Sequence, residues 1–279
     1  MYKVYDDKTL KKLHDVELEI LDEIARICKK HNIKYSLFAG TMLGAVRHAG
    51  FIPWDDDIDI GMLRSDYEKF IKIAHEELDS KFYLDCFEYN EDYHLAFAKV
   101  KKNGTIFDEE ASHHLDNHKG IFVDIFPIDN VYDNIKRSYV NAILIKTIIQ
   151  TIYVKKKMYG LKECRHKILS GFLMIFSHRF LMKLEKKICM SNKNDNSKYV
   201  ACFLGVYPFK NEVNLRSDFL PFKDIKFENK KYSIINNTDK YLTGVYGDYM
   251  KLPPKEKRIN HMPLRIDFGD KKWKQKKHF

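Results

Sequence analysis

Four acidic residues lie within five consecutive positions of the chain: Asp55, Asp56, Asp57 and Asp59. Carboxylates this close repel one another, so a folded protein tolerates them mainly where a cation neutralises them or where water solvates them. If residues 57–60 form a β-strand, its two-residue period places Asp57 and Asp59 on one face and directs the two isoleucines to the core. Two carboxylates on one face are suitable oxygen ligands for a hard divalent cation, Mg2+ or Mn2+.

A third carboxylate of the same kind is Asp124, which lies inside the otherwise apolar run 122–126. An aspartate in such a strand is costly unless it meets a cation or hydrogen-bond donors. A solvated loop is the usual interpretation of an acidic run, but the strand alternation and this embedded aspartate together favour a cation site. For Asp55 and Asp56 three roles stay open: holding the loop, joining a second metal, or capping the strand.

A possible phosphate-binding turn precedes the acidic run. Gly40 and Thr41 follow a strand-like segment, 34–39, and open a short helix predicted over 41–48. Glycine lets the backbone approach a ligand, and a hydroxyl at a helix N-terminus suits a phosphate oxygen. A plain turn with a helix cap is the alternative interpretation.

The remaining apolar patterns predict an α/β first half with a small mixed sheet, followed by helices and a hairpin. Helices are predicted over residues 8–30, 64–80, 139–154, 168–180 and 239–246. Strands are predicted over residues 82–87, 94–100, 105–107, 121–126, 219–227 and 231–235. The segments 139–154 and 168–180 are apolar but too short to predict membrane spans.

The order Gly40-Thr41, Asp57 and Asp59, then Asp124 resembles the arrangement of the nucleotidyltransferase superfamily. Residues 35–62 resemble the signature of one branch, the LicD family of phosphorylcholine transferases, which is related to the fukutin-related proteins. Weaker matches follow at 96–100, 120–129 and 246–261. The resemblance implies an α/β (α+β) fold: a nucleotidyltransferase-like mixed sheet flanked by helices, with a helical insert and a C-terminal hairpin-plus-helix segment.

The resemblance also implies an activity. Members move a phospho-alcohol, here most simply phosphorylcholine from CDP-choline or a related CDP-alcohol, to a sugar hydroxyl of a surface glycan such as lipopolysaccharide or teichoic acid, and release CMP. It implies that Asp57, Asp59 and Asp124 form the catalytic Mg2+ or Mn2+ site, with Asp124 completing it or activating the attacking hydroxyl. The residues that it implies for the donor phosphates are Gly40, Thr41, Arg47, His48, Lys99 and His261.

Other interpretations of these residues stay open. Lys99 can instead be a strand residue that points to water, and Arg47 a charge partner at a helix C-terminus. The chain can also be a nucleotidyltransferase that releases pyrophosphate, or a non-catalytic module that binds a glycan or nucleotide. The transferred alcohol is equally open, because the aromatic residues that could recognise choline through cation-π contacts are numerous. Those considered are Trp54, Tyr67, Tyr93, Tyr207, Tyr246 and Tyr249.

Charge and composition divide the chain into three predicted parts, and the middle one is a basic helical insert (131–195). The resemblance implies that the first part is a nucleotidyltransferase-like catalytic core (1–130) and that the C-terminal segment (196–279) completes the substrate cleft. Residues 1–135 carry a net charge of −10 and residues 136–193 a net charge of +12. The insert therefore predicts either two packed helices with solvated lysines or peripheral contact with the anionic cytoplasmic membrane leaflet, where a lipid-linked glycan acceptor is built.

Composition also predicts the compartment and excludes one class of partner. Five widely spaced cysteines without a C-x-x-C pair predict a reducing cytoplasm, with membrane association through the insert as the further expectation. The N-terminus shows no signal sequence. Nucleic acid is not a predicted partner despite the net charge of +10, because no aromatic-basic signature of an RNA reader is present.

Overall fold

The computed structural model describes residues 5–258 and 260–269. Its first element is helix α1 (Asp7–Lys30), which begins at Asp6, whose side chain accepts a hydrogen bond from the backbone N–H of Thr9. The apolar stripe of α1 is buried against the sheet, so the helix predicted over 8–30 is confirmed.

A mixed β-sheet forms the centre of the fold, as predicted. The elements that build and flank it are, in chain order, β1 (Ser36–Leu37), α2 (Ala39–His48), β2 (Asp59–Leu63), α3 (Arg64–Glu77), β3 (Phe82–Asp85), β4 (Ala98–Lys102), β5 (Ile106–Asp108) and β6 (Phe122–Val131). The main path of the sheet runs β1-β2-β6-β4-β3. Strands β2 and β6 are parallel, and the other pairs of this path are antiparallel.

The acidic run differs in one respect from the prediction. Strand β2 begins at Asp59, so Asp57 lies in the preceding loop and the strand predicted from residue 57 is wrong at its start. The reason is that the loop is held by side chains: His14 bonds the Asp55 carbonyl oxygen, and Asp56 is bonded from two directions. The predicted alternation nevertheless holds, because Ile58 is fully buried.

The insert contains α4 (Ile135–Lys155), α5 (Lys167–Leu173) and α6 (His178–Cys189). The single helix predicted over 168–180 is wrong, because Ser177 ends the apolar run as the cap of a new helix and accepts a hydrogen bond from the Phe180 N–H. Two small apolar clusters join these helices to each other and to the sheet. Within the described residues, no helix has the length and apolarity to cross a membrane.

The C-terminal part returns to the sheet. Its elements are β7 (Tyr199–Ala201), α7 (Phe209–Glu212), β8 (Val213–Leu215), α8 (Arg216–Phe219), β9 (Lys223–Phe227), β10 (Lys230–Ile234), α9 (Thr238–Tyr246) and β11 (Arg265–Asp267). The β9–β10 hairpin and α9 were predicted, although β9 begins four residues later than expected. The sequence predicted neither β7, which extends the far half of β6, nor β11, which pairs with β5.

Candidate active site

Two of the three predicted aspartates lie side by side in the sheet. Asp59 of β2 is the register partner of Asp124 of β6, and the Asp124 N–H donates to the carbonyl oxygen of Ile58 at 2.9 Å. Register partners on neighbouring strands direct their side chains to the same face of a sheet, with about 4.8 Å between the strands. The parallel β2–β6 pair thus places these two carboxyl groups together.

The turn between β1 and α2 holds Asp59 in position. The Asp59 N–H donates to Thr41 Oγ1 at 2.8 Å, and the Asp59 carbonyl oxygen accepts from the Phe38 N–H at 2.9 Å. Thr41 is buried. Its hydroxyl positions Asp59, a role that the sequence did not predict, and its predicted contact with a phosphate stays a prediction. A Cβ at Gly40 would lie 3.2 Å from Asp55 Oδ2, so the space at this position is tight.

Asp56 anchors the acidic loop. Its carboxylate is 1% exposed and accepts hydrogen bonds from the Tyr5 hydroxyl at 2.8 Å and from the His261 N–H at 2.9 Å. The His261 ring nitrogen Nδ1 also lies 3.1 Å from Asp56 Oδ1 and 3.4 Å from Asp57 Oδ2. Of the three roles considered for Asp56, the structure therefore shows that it holds the loop. His261 brings the C-terminal segment to Asp57.

Lys99 places a buried cation beside Asp124. Its ammonium group lies 3.1 Å from Asp124 Oδ1, 3.7 Å from Glu109 Oε2 and 3.2 Å from the centre of the Phe122 ring. Burial lowers the pKa of Lys99, but Asp124 and Glu109 raise it by more, so the net shift is upward and the side chain stays charged. The alternative that Lys99 points to water is wrong, because β4 directs it across the strand pair to Asp124.

The carboxyl groups of the site have too little positive charge around them to offset their burial and mutual repulsion. Burial, followed by repulsion from Asp57 and Asp124, raises the pKa of Asp59 well above its ordinary value. Burial raises the pKa of Asp124 to about 6, against the opposing effect of Lys99. Glu17 of α1, which is fully buried, has a strongly raised pKa through burial and repulsion from Asp57. Such a set of hard oxygen donors fits a divalent cation of the Mg2+ type.

The side chains of the three predicted metal ligands, Asp57, Asp59 and Asp124, are not grouped around a single point. Among residues 5–258 and 260–269, no three Asp, Glu, His or Cys side chains form a group that could hold a metal ion as they stand. Asp57 is oriented toward His261 and Asp124 toward Lys99, so two of the three predicted ligands have a side-chain cation as neighbour. The metal ligands therefore stay a prediction, supported by the donor chemistry and by the register of Asp59 and Asp124.

The C-terminal segment closes over α2 and the acidic loop. Arg47 donates from Nη1 to the Tyr249 carbonyl oxygen at 2.6 Å and from Nε to His48 Nε2 at 2.9 Å. The Arg258 guanidinium lies 4.4 Å from the centre of the Trp54 ring. The structure thus brings Arg47, His48 and Arg258 to one side of the site, where their present contacts hold the segment in place.

One pair of aromatic residues lies close enough to the carboxylates for Asp59 and Asp55 to act on it electrostatically. Tyr207 and Tyr246 are half-buried, and their rings meet edge to face with centres 5.4 Å apart. Burial is the largest cause of the raised pKa of each phenol, and Asp59 and Asp55 add to it. Tyr67 and Tyr93 are buried in the interior, and the Tyr249 hydroxyl donates to Asp239. Glu17, Glu109 and Tyr5 were missed by sequence reasoning, because no local motif marks a residue that reaches the site only through the fold.

We expect the unfolding free energy to decrease as the pH rises from 7 to 9. The His261 pKa is raised to about 9 by its bond to Asp56, so its stabilisation is complete below its ordinary pKa and lost as the pH rises through 9. Urea titrations at several pH values measure the unfolding free energy. The variant His261→Gln should show a smaller decrease of this free energy between pH 7 and 9, and a variant with the same pH dependence as the wild type would contradict the prediction.

Comparisons with known proteins identify the family of the chain. The family described as LicD/FKTN/FKRP, nucleotidyltransferase domain, matches residues 32–162. The chain is 31% identical to the lipopolysaccharide cholinephosphotransferase LicD of Haemophilus influenzae over 262 residues, which cover 91% of this chain and 96% of that protein. It is also 31% identical to the mouse ribitol-5-phosphate transferase FKTN over 98 residues, 34% of this chain and 21% of that protein. The chain therefore belongs to the LicD family, whose two named relatives here are both phosphotransferases.

Proposed function

We propose that this enzyme transfers phosphorylcholine from CDP-choline to a sugar hydroxyl of a cell-surface glycan, lipopolysaccharide or teichoic acid, and releases CMP. The observation that supports this most is the placement of Asp59 beside Asp124 under the N-terminus of α2, within a chain that matches a cholinephosphotransferase over nearly its whole length. A cytoplasmic enzyme that meets a lipid-linked acceptor is the setting that we propose for this reaction.

In the proposed reaction, an acceptor hydroxyl oxygen attacks the phosphorus that carries choline, the bond to the CMP oxygen breaks, and the hydroxyl proton passes to a base. Asp124 is that base, since its pKa of about 6 leaves it largely ionised at neutral pH while Lys99 fixes its orientation. Asp57 and Asp59 would hold Mg2+ or Mn2+, which supplies charge neutralisation to the diphosphate when bound.

The donor's phosphate oxygens would lie at the N-terminus of α2, where the backbone N–H groups near Gly40 and Thr41 are suited to anions. Arg47, His48 and His261 would add positive charge from the C-terminal side, and Lys99 from the sheet. Arg47 and His48 belong to α2, His261 contacts the loop that precedes β2, and Lys99 contacts Asp124 on the strand paired with β2. The residues would therefore act by positioning and charge neutralisation, which carry most of the catalysis in phosphoryl transfer.

The test is incubation of the purified protein with a panel of CDP-alcohols and Mg2+, with and without a glycan acceptor. We expect acceptor-dependent release of CMP, fastest with CDP-choline, and choline incorporated into the glycan. Pyrophosphate release from CTP in the presence of a hydroxylated substrate would instead support nucleotidyl transfer. Absence of both products with every donor would support a binding module and contradict the proposal.

We also expect Tyr207 and Tyr246 to bind the quaternary ammonium of the donor, because their rings lie beside the charged cluster and a trimethylammonium group is attracted to aromatic faces. Tyr246→Leu should raise the KM for CDP-choline by about tenfold, corresponding to the one to two kcal/mol of such a contact. The KM for CDP-ribitol, which has no cationic head group, should change little. Equal changes for both donors would reject this contact, and Tyr139→Leu is a matched control on the insert.

A further inference from the structure

Helix α5 presents apolar side chains to solvent. Ile168 is 93% exposed and Phe172, one turn later on the same face, is 59% exposed; Ile175, which follows the helix, is 72% exposed. The opposite face of α5 buries Ser170 and Leu173, the latter against α4 and α6. A surface helix normally turns its polar residues to solvent, whereas the solvent-facing side of α5 is apolar.

Aromatic contacts extend this surface to the next helix. The Phe176 ring lies 5.8 Å from that of Phe172 and stacks at 4.8 Å on that of Phe180, which is 46% exposed. The result is one continuous surface, here named the insert patch, formed by Ile168, Phe172, Ile175, Phe176 and Phe180. Large continuous apolar surfaces of this kind mark interaction sites in soluble proteins.

Positive charges border the insert patch. Arg165 and Lys167 line the same surface depression as Ile168 and Phe172, and Lys183 is exposed one turn after Phe180 on α6. Residues 155–187 contain ten lysines and arginines and two glutamates. One of these glutamates, Glu185, is buried. Arg179 is paired with Glu91, and Lys186 with Glu68 and Glu88, so the exposed cations that border the patch are Arg165, Lys167 and Lys183.

We propose that the insert patch binds the surface of an anionic phospholipid membrane, with its apolar side chains in the interface and the bordering cations on the headgroups. Apolar insertion and attraction to anionic lipids are the two contributions that hold a peripheral amphipathic segment on a bilayer. A second copy of the chain fits this surface poorly, because the patch would then bring two cationic rims against each other. This inference concerns binding alone and does not depend on the proposed reaction.

The experiment is flotation of the full chain with vesicles of phosphatidylcholine alone or mixed with phosphatidylglycerol, at low and high salt. We expect binding to the anionic vesicles that is lost at high salt, since each lysine or arginine at the surface contributes about fivefold in affinity. Phe172→Ser with Ile175→Ser should reduce the partition coefficient by about tenfold or more. Both side chains are exposed, so unfolding temperature should stay unchanged. Leu264→Ser, an exposed apolar change outside the insert, is the matched control.

A second variant separates charge from apolar contact. Lys167→Glu with Lys183→Glu should weaken binding to the anionic vesicles and remove most of its salt dependence, while leaving the apolar side chains in place. Equal recovery of the wild-type protein with neutral and anionic vesicles at low salt would overturn the proposal. Wild-type affinity of the Phe172/Ile175 variant would do so too, as would self-association through the patch without vesicle binding.

Discussion

Asp59→Asn is expected to reduce the rate of CMP release by about three orders of magnitude while leaving the protein at least as stable as the wild type. The loss follows from removing a proposed metal ligand, because neutralising the charge that develops on a transferring phosphoryl group accounts for several kcal/mol of its transition state. Stability should not fall, since the raised pKa of Asp59 shows that its ionised form is unfavourable in the folded protein.

Single-turnover kinetics and thermal unfolding of the same samples measure both parts of this prediction. Asp57→Asn should behave in the same way, whereas Asp15→Asn, the same change at an exposed position of α1, should alter neither property. An Asp59→Asn protein that retains most of its activity would contradict the catalytic assignment. A variant that loses activity together with several degrees of unfolding temperature would indicate a structural role instead.

Lys99→Met is expected to differ from Asp59→Asn in its effect on stability, because it should cause a large loss of unfolding free energy. It leaves Asp124 without its 3.1 Å cation in a site where both side chains are almost fully buried. Removing one partner of a buried ion pair costs about 3 to 5 kcal/mol, because the remaining charge is unpaired in a poorly solvated environment. Urea unfolding without divalent cations measures this loss.

The double variant Asp124→Asn with Lys99→Met separates the pair from the individual residues. It removes both charges, so we expect it to recover most of the stability lost in Lys99→Met, although activity stays low because the proposed base is absent. A double variant as unstable as Lys99→Met would show that Lys99 acts on the fold mainly through Glu109 or the Phe122 ring. These are its other two contacts at the site.

The acidic residues of the site could be predicted from sequence because short-range patterns of apolar and acidic residues mark them. The alternation around Ile58 and Ile60 showed which aspartates face away from the core, and the apolar neighbours of Asp124 showed that it is embedded in a strand. The strand-turn-helix order placed Gly40 and Thr41 near these acids. The fold class followed from the same periodicities, with an error of two residues at the start of β2.

The long-range contacts could not be predicted, because no pattern marks them. His261 bonds Asp56 across 205 positions and Tyr5 bonds the same carboxylate across 51. The pairing of β7 with β6 likewise joins residues about 70 positions apart, and three-residue strands give too little alternation to be recognised. The break between α5 and α6 was missed because the capping role of Ser177 competes with an apolar run that favours one helix.

The most direct test of the account is Mn2+ binding measured by electron paramagnetic resonance in the presence of CDP-choline. We predict that the wild-type protein binds Mn2+ and that Asp57→Asn and Asp59→Asn each weaken this binding by at least about tenfold, because each removes a proposed oxygen ligand. Asp15→Asn should bind as the wild type does. Equal Mn2+ affinity in the wild type and in both site variants would contradict the claim that Asp57 and Asp59 hold the cation.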